Sequence, residues 1–285
     1  MRQQPKVEAV SLSKVFYGRR GADVVALDGV SLQIHDREMV SIVGASGCGK
    51  STLLKIIAGL EAPTAGELLL DGRPIEGPGR DRGMVFQEYT LFPWLTVRKN
   101  VEFGLTDHSK QERREIARQF LEVVGLSKFE ANYPGELSGG MQQRVAIARA
   151  LAYKPTVLLM DEPFGALDAQ TRSLMQDLLL KIWTEESLTV LFVTHDVDEA
   201  VYLSDRLYVL SARPGRVKEI VDIALPRPRE YSIQLTNDFL ELKHHVRDLI
   251  HREALVNTGF ADVLADDAGS YEADRKEPVD ASSRH

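Results

Sequence analysis

The stretch Gly44-Ala45-Ser46-Gly47-Cys48-Gly49-Lys50-Ser51-Thr52 constrains this chain more than any other. It fits the spacing G-x-x-x-x-G-K-[ST], which functions only between a strand and a helix. Both flanks comply. Met39-Val40-Ser41-Ile42-Val43 is a short apolar, β-branched run that reads as a strand, while Thr52 to Ala58 has helical spacing and stops at Gly59. The glycines let the backbone wrap closely around phosphate groups. Lys50 supplies a point charge for β- and γ-phosphates, and the Ser51 hydroxyl can ligate Mg²⁺.

Two further runs, Thr156 to Asp161 and Leu188 to Val193, are almost wholly apolar and of strand length. Such runs belong to parallel strands buried on both faces. Between them Gln170 to Glu186 reads as the crossover helix. The first forty residues instead alternate, in Val7 to Leu12 and Ala26 to Ile34, as antiparallel strands do, with a hairpin near Gly18 to Gly21. Glu67 to Gly72 reads as a strand and turn. Residues from about 96 to 153 turn helical and charged, Gln111 to Val124 being clearly amphipathic. Residues 206–223 read as two strands around Pro214-Gly215, and Ser232 to Leu255 as one helix. The expected architecture is α/β: a parallel core, an antiparallel β layer and an inserted α-helical subdomain.

Bulk properties exclude several classes. The 285 residues suffice for one large or two small domains. A net charge of −7 argues against nucleic acid as the main partner. A single cysteine, Cys48, rules out a disulfide framework and fits a reducing compartment. No apolar run approaches the roughly 18–20 residues that span a bilayer, and no signal-peptide core opens the chain.

Candidate reacting groups stand at strand ends. Asp161 and Glu162 close the buried run, where Asp161 can hold Mg²⁺ through its water shell and Glu162 can polarise a water. His195 closes the next run, which is expected to neighbour it, so that the imidazole reaches the γ-phosphate edge. Gln87 follows the strand Gly83 to Phe86, and its amide can complete the Mg²⁺ shell. A second anion site is written in Leu137-Ser138-Gly139-Gly140-Met141-Gln142-Gln143-Arg144, where serine and two glycines open a helix. Since one phosphate cradle already exists, the second suggests a pocket closed by another copy of the domain.

Taken in order, these segments resemble the ATPase subunits of ABC transporters over roughly residues 5–225. Gly44 to Thr52, Gln87, Leu137 to Arg144, Val157 to Glu162, Gly165-Ala166-Leu167-Asp168 and His195 correspond to that family's Walker A, Q-loop, signature, Walker B, D-loop and H-loop. The resemblance implies the ABC ATPase fold on a P-loop NTPase core, with residues 96–153 as its helical subdomain. It implies ATP and Mg²⁺ as cofactors and a head-to-tail pair of cassettes, identical or paralogous. Ser138, Gly139, Gly140 and Gln142 then meet the nucleotide of the other subunit. By the same resemblance Glu162 is the general base, His195 the γ-phosphate contact, Asp168 the link between sites, and Ser51, Gln87 and Asp161 the metal-binding residues. The adenine-stacking aromatic is Phe16 or Tyr17, with Phe16 favoured by its spacing after Lys14.

A lone cassette without membrane spans resembles the importer arrangement, implying separate permease subunits and, indirectly, an extracytoplasmic solute-binding protein. It would sit on the cytoplasmic face of the membrane. Leu191 to Arg206, Ser211 to Arg216 and Phe92-Pro93-Trp94 resemble the nitrate/sulfonate/taurine group, which imports small, mostly anionic solutes. The alternative is a soluble ABC-type ATPase acting on nucleic acid or ribosomes. The apolar Phe92-Pro93-Trp94 loop either anchors a permease helix or packs the helical subdomain. Residues 226–262 are expected to form a helical extension and 263–285 a disordered acidic tail. Cys48, near Lys50 and a helix N-terminus, is expected to be a thiolate whose alkylation inhibits.

Overall fold

The computed structural model describes residues 4–18 and 21–258. Val7–Phe16 (β1) and Val24–Ile34 (β2) pair antiparallel, with Phe16 opposite Val24. Met39–Gly44 (β3) leads into Lys50–Ile57 (α1), followed by Ala65–Leu70 (β4), the short Arg73–Pro74 (β5) and Arg82–Val85 (β6). The next stretch is helical: Val97–Glu102 (α2), Lys110–Val123 (α3) and Gly139–Ala152 (α4). Then come Val157–Asp161 (β7), Ala169–Glu186 (α5), Thr189–Val193 (β8) and Val197–Leu203 (α6). Arg206–Leu210 (β9), Val217–Asp222 (β10) and Asn237–Thr258 (α7) complete the described chain.

These strands form two sheets, β2-β1-β4-β5 and β10-β9-β3-β8-β7-β6. The second is parallel except where β10 folds back on β9. Its apolar runs are explained by burial on both faces. Val40 and Ile42 point into one core with Leu159 and Leu191, while Met39 and Val43 join Leu158, Met160 and Phe192 in the other. The first core lies between the two sheets and is filled by α1 through Leu53, Leu54, Ile56 and Ile57. The second is covered by helices, among them α4, whose Val145, Ile147 and Ala148 are fully buried.

The helical stretch is capped as its sequence suggests. Ser109 and Glu112 form a reciprocal capping box at the start of α3, and only Ala117, Phe120 and Leu121 of that helix are buried. α2 and α3 both pack on α4.

One expected helix is two elements. Tyr231–Leu235 forms a short 3₁₀ turn, and α7 begins only at Asn237. Thr236 between them is extended at φ −81° and ψ 153°, and its hydroxyl accepts from the Phe239 amide at 3.4 Å. A side-chain oxygen in that position caps a new helix instead of continuing the old one. The expected disordered tail, 263–285, lies outside the described residues. Among the described residues no helix is long and apolar enough to cross a membrane.

Candidate active site

Parallel pairing brings the C-terminal ends of β3, β6, β7 and β8 to one edge of the sheet, where ligands of such sheets bind. The phosphate-cradling loop leaves β3 there. Gly49 caps α1 at φ 101°, and a Cβ on it would lie 2.8 Å from the Ala26 carbonyl oxygen, so only glycine fits. Lys50 is 6 % exposed and donates to the carbonyls of Gly44 and Ala45 at 2.9 and 3.1 Å.

Ser46, Gly47, Gly49, Lys50, Ser51 and Thr52 line a cavity of about 390 Å³, together with Phe16, Gln87 and Glu162. That volume suits a small ligand. Phe16 lines it while Tyr17 does not. Gly44 and Cys48 are buried and Ala45 half-buried, so these three support the loop without lining the cavity. Cys48 corrects an expectation. Its thiol is 1 % exposed and burial pushes its pKa up, outweighing Lys50, whose Nζ is 3.9 Å from Sγ. It is a small apolar filler and no accessible thiolate.

At the end of β7, Asp161 accepts from the Ser51 hydroxyl at 3.0 Å. Burial raises the Asp161 carboxyl and the Ser51 hydrogen bond partly offsets it. Glu162 follows in the left-handed region at φ 44°, its amide bonded to the Val193 carbonyl at 2.8 Å. For a residue with a Cβ that conformation costs on the order of 1 kcal/mol or more. It aims the carboxylate away from the strand. Glu162 Oε2 lies 3.0 Å from His195 Nδ1 and accepts from Gln87 Nε2 at 3.4 Å. Because a carboxylate accepts, Nδ1 is the protonated nitrogen in this arrangement. Gln87, Glu162 and His195 therefore come together from three adjacent strands.

Thr194 and Asp196, on either side of His195 in the chain, belong to a polar cluster. Thr194 Oγ1 donates to Glu199 Oε2 at 2.8 Å and accepts from the Asp196 amide at 3.0 Å. Arg172 of α5 reaches Asp196 at 3.3 Å and Glu199 at 3.6 Å. Burial pushes the Glu199 carboxyl up to about 6, against the pull of the Thr194 hydrogen bond.

The second anion segment lies elsewhere. Ser138 is exposed, caps α4 and accepts from the Met141 amide at 3.4 Å, while Gln142 bonds the Leu137 carbonyl at 3.2 Å. None of Ser138, Gly139, Gly140 or Gln142 lines the cavity around Lys50. Asp168, also outside it, caps α5 through the Thr171 amide at 3.0 Å, and that bond holds its carboxyl below the usual range. Val24, Ala26 and Arg213 do line the cavity and were not expected there. Only the β1–β2 register and the folding of the β9–β10 turn onto the loop bring them in. The Phe92-Pro93-Trp94 loop divides between its two readings. Phe92 packs on Phe103 at 4.3 Å between ring centroids, whereas Trp94 is 70 % exposed.

Residues 27–165 match the ABC transporter family. An uncharacterised ABC transporter ATP-binding protein of Methanocaldococcus jannaschii is 56 % identical over 256 residues, 89 % of this chain and 94 % of the relative. A nitrate import ATP-binding protein of Synechocystis is 51 % identical, covering 86 % of this chain and 94 % of its own. An aliphatic sulfonates import ATP-binding protein of Bacillus cereus is 45 % identical over 86 % and 96 %. Among solved structures, a dimeric ATP-binding cassette in a post-hydrolysis state with ADP and Pi superposes with a TM-score of 0.69 at 37 % identity, over 77 % of this chain and all of that one. The chain belongs to the ATP-binding proteins of ABC transporters. It is an ATPase with the ABC cassette fold.

Proposed function

We propose that this chain is the ATP-hydrolysing subunit of an importer for a small anionic solute, of the nitrate or sulfonate kind named for its relatives. The observation that carries the reading is Glu162, bonded to Gln87 and to His195, lining with Gln87 the same cavity as Lys50 and Ser51. Residues 5–225 form the cassette, 96–153 its helical subdomain and 226–262 an extension. Two cassettes close on ATP and draw separate permease subunits together at the cytoplasmic face of the membrane. A solute-binding protein outside the cell delivers the cargo.

Within the site, Phe16 stacks on the adenine and the backbone of Gly44 to Thr52 surrounds the phosphates. Lys50 releases its loop carbonyls to bind β- and γ-oxygens. Glu162 takes the proton of the attacking water, and His195 holds the γ-phosphate edge. Ser51 and Asp161 present hard oxygens 3.0 Å apart, which with the Gln87 amide fit Mg²⁺, an ion that keeps several waters. Mg²⁺ would supply charge neutralisation on the β- and γ-phosphates. Ser138, Gly139, Gly140 and Gln142 complete the site of the partner cassette, and Asp168 links the two. The exposed Trp94 suits contact with a permease helix.

The test is purification from detergent-solubilised membranes, then reconstitution of the co-purified complex into vesicles. ATP-driven uptake of nitrate or an alkyl sulfonate, abolished by Lys50→Ala, is the expected result. Purification free of membrane protein, with salt-sensitive nucleic-acid binding, would overturn the importer reading in favour of a soluble ATPase.

A further inference from the structure

Ser211–Arg216 turns the chain from β9 into β10 and lies against the phosphate-cradling loop. A Cβ on Gly215 would come within 2.2 Å of the Cys48 carbonyl oxygen, so the two backbones are in direct contact. The turn is tied to β2 on one side. Gly215 donates to the Ala26 carbonyl and accepts from the Asp28 amide, both at 3.0 Å, and Arg216 pairs with Asp28 at 3.0 Å. On the other side the Ala212 amide donates to Glu253 of α7 at 3.2 Å, and Glu253 is also paired with Lys218 at 3.0 Å. The Ser211 hydroxyl closes the turn on the Pro214 carbonyl at 3.0 Å.

Arg213 projects from the middle of this braced turn into the cavity. Its Nε donates to the Gly47 carbonyl at 3.3 Å, and Nη2 lies 3.5 Å from where a side chain at Gly47 would begin. The two arginines of the turn differ in kind. Arg216 is neutralised by Asp28, whereas Arg213 has no carboxylate partner among the described residues. A guanidinium carried on a braced turn, with no carboxylate partner among the described residues, at the wall of a phosphate site, is placed for an anion.

Its contacts point to the part of the ligand that it meets. Gln87, Glu162 and the Ser51–Asp161 pair mark the reacting end. Arg213 is bonded to none of these among the described residues; its guanidinium bonds Gly47, and its turn is held by Ala26, which lines the cavity with Val24 and with Phe16, across from Val24 in the hairpin. We infer that Arg213 is a nucleotide-binding residue that grips the α-phosphate and ribose end, common to ATP and ADP, and makes no contact with the γ-phosphate. Through Glu253 the same turn ties α7 to the nucleotide site. The inference rests on the cavity's being the ATP site, as proposed above.

Calorimetric titration of the full chain with ADP and with a non-hydrolysable ATP analogue tests it, in the wild type and in Arg213→Ala, Arg213→Gln, Arg213→Lys and Lys50→Ala. Loss of a charged hydrogen-bond partner at a half-open site predicts about ten-fold weaker binding. Arg213→Ala should lose that factor equally for both nucleotides. Arg213→Gln can still donate to the Gly47 carbonyl yet should be as weak as alanine, while Arg213→Lys should recover part of the affinity. Wild-type binding by Arg213→Ala, recovery by glutamine, or loss for the ATP analogue alone would each overturn the inference. If Lys50→Ala also binds like the wild type, the assignment of the cavity itself is wrong. If Lys50→Ala fails to bind and Arg213→Ala does not, only the role of Arg213 falls.

Discussion

Glu162 holds an unfavourable backbone angle, φ 44°, and through it directs a carboxylate to Gln87 and His195. That carboxylate stands on a fixed base, since the Glu162 amide is bonded to β8 and Thr194, beside His195 in the chain, donates to the buried Glu199. The base carries its own pH signature. In the folded chain Glu199 titrates at about 6, above the ordinary value of 4.5, so between these the folded state binds the proton more tightly. Its contribution is therefore complete below pH ~4.5 and lost as pH rises through ~6, a loss of about 2 kcal/mol. Glu199→Gln keeps an acceptor for Thr194 and should flatten the stability profile between those pH values. Urea denaturation at a series of pH values measures it, and an unchanged slope would contradict the assignment. At this scale Lys50, Asp161, Glu162 and His195 were legible because each ends or follows a strand that the apolar runs reveal. Arg213 was not, because its place depends on a distant turn folding onto the Cys48 backbone. The Cys48 expectation failed for a related reason: spacing shows the neighbouring lysine and helix, but not the burial that outweighs them.

Elements were legible where burial leaves a periodic trace. β3, β7 and β8 send alternate residues into two cores, and the sequence records this as unbroken apolar runs. The break at Thr236 left no such trace, because apolar residues continue across it at Ile233, Leu235, Phe239 and Leu242. Nor does any pattern announce Arg229. It is 7 % exposed and donates to the carbonyls of Val201, Tyr202, Ser204, Ile223 and Leu225, fastening the end of α6 to the segment after β10. Burial, the largest influence, lowers its pKa to about 10, which leaves it charged at neutral pH. Arg229→Ala strips these carbonyls of their shared donor and should destabilise the chain by about 3 kcal/mol, read by chemical denaturation. A loss below about 0.5 kcal/mol would mean that water replaces the arginine without cost.

The whole molecule is half of its proposed machine. The edge of the parallel sheet gathers Lys50, Ser51, Gln87, Asp161, Glu162 and His195, four of which (Lys50, Ser51, Gln87 and Glu162) line one cavity, but Ser138, Gly139 and Gly140 stay outside it at the start of α4. A helix N-terminus built of serine and two glycines attracts an anion, and within one chain the nucleotide cavity does not reach it. On the proposed function ATP joins two chains, each lending Ser138 to the other. The direct measurement is the molar mass in solution of Glu162→Gln, by light scattering on a sizing column, with ATP and with none. Glu162→Gln should bind ATP, hydrolyse it at least about a hundred-fold more slowly, and run as a dimer only when ATP is present. Adding Ser138→Arg should abolish that dimer while the monomer keeps its ATP affinity. A Glu162→Gln chain that stays monomeric when saturated with ATP, or a Ser138→Arg monomer that loses ATP binding, would show that ATP does not join two chains through Ser138.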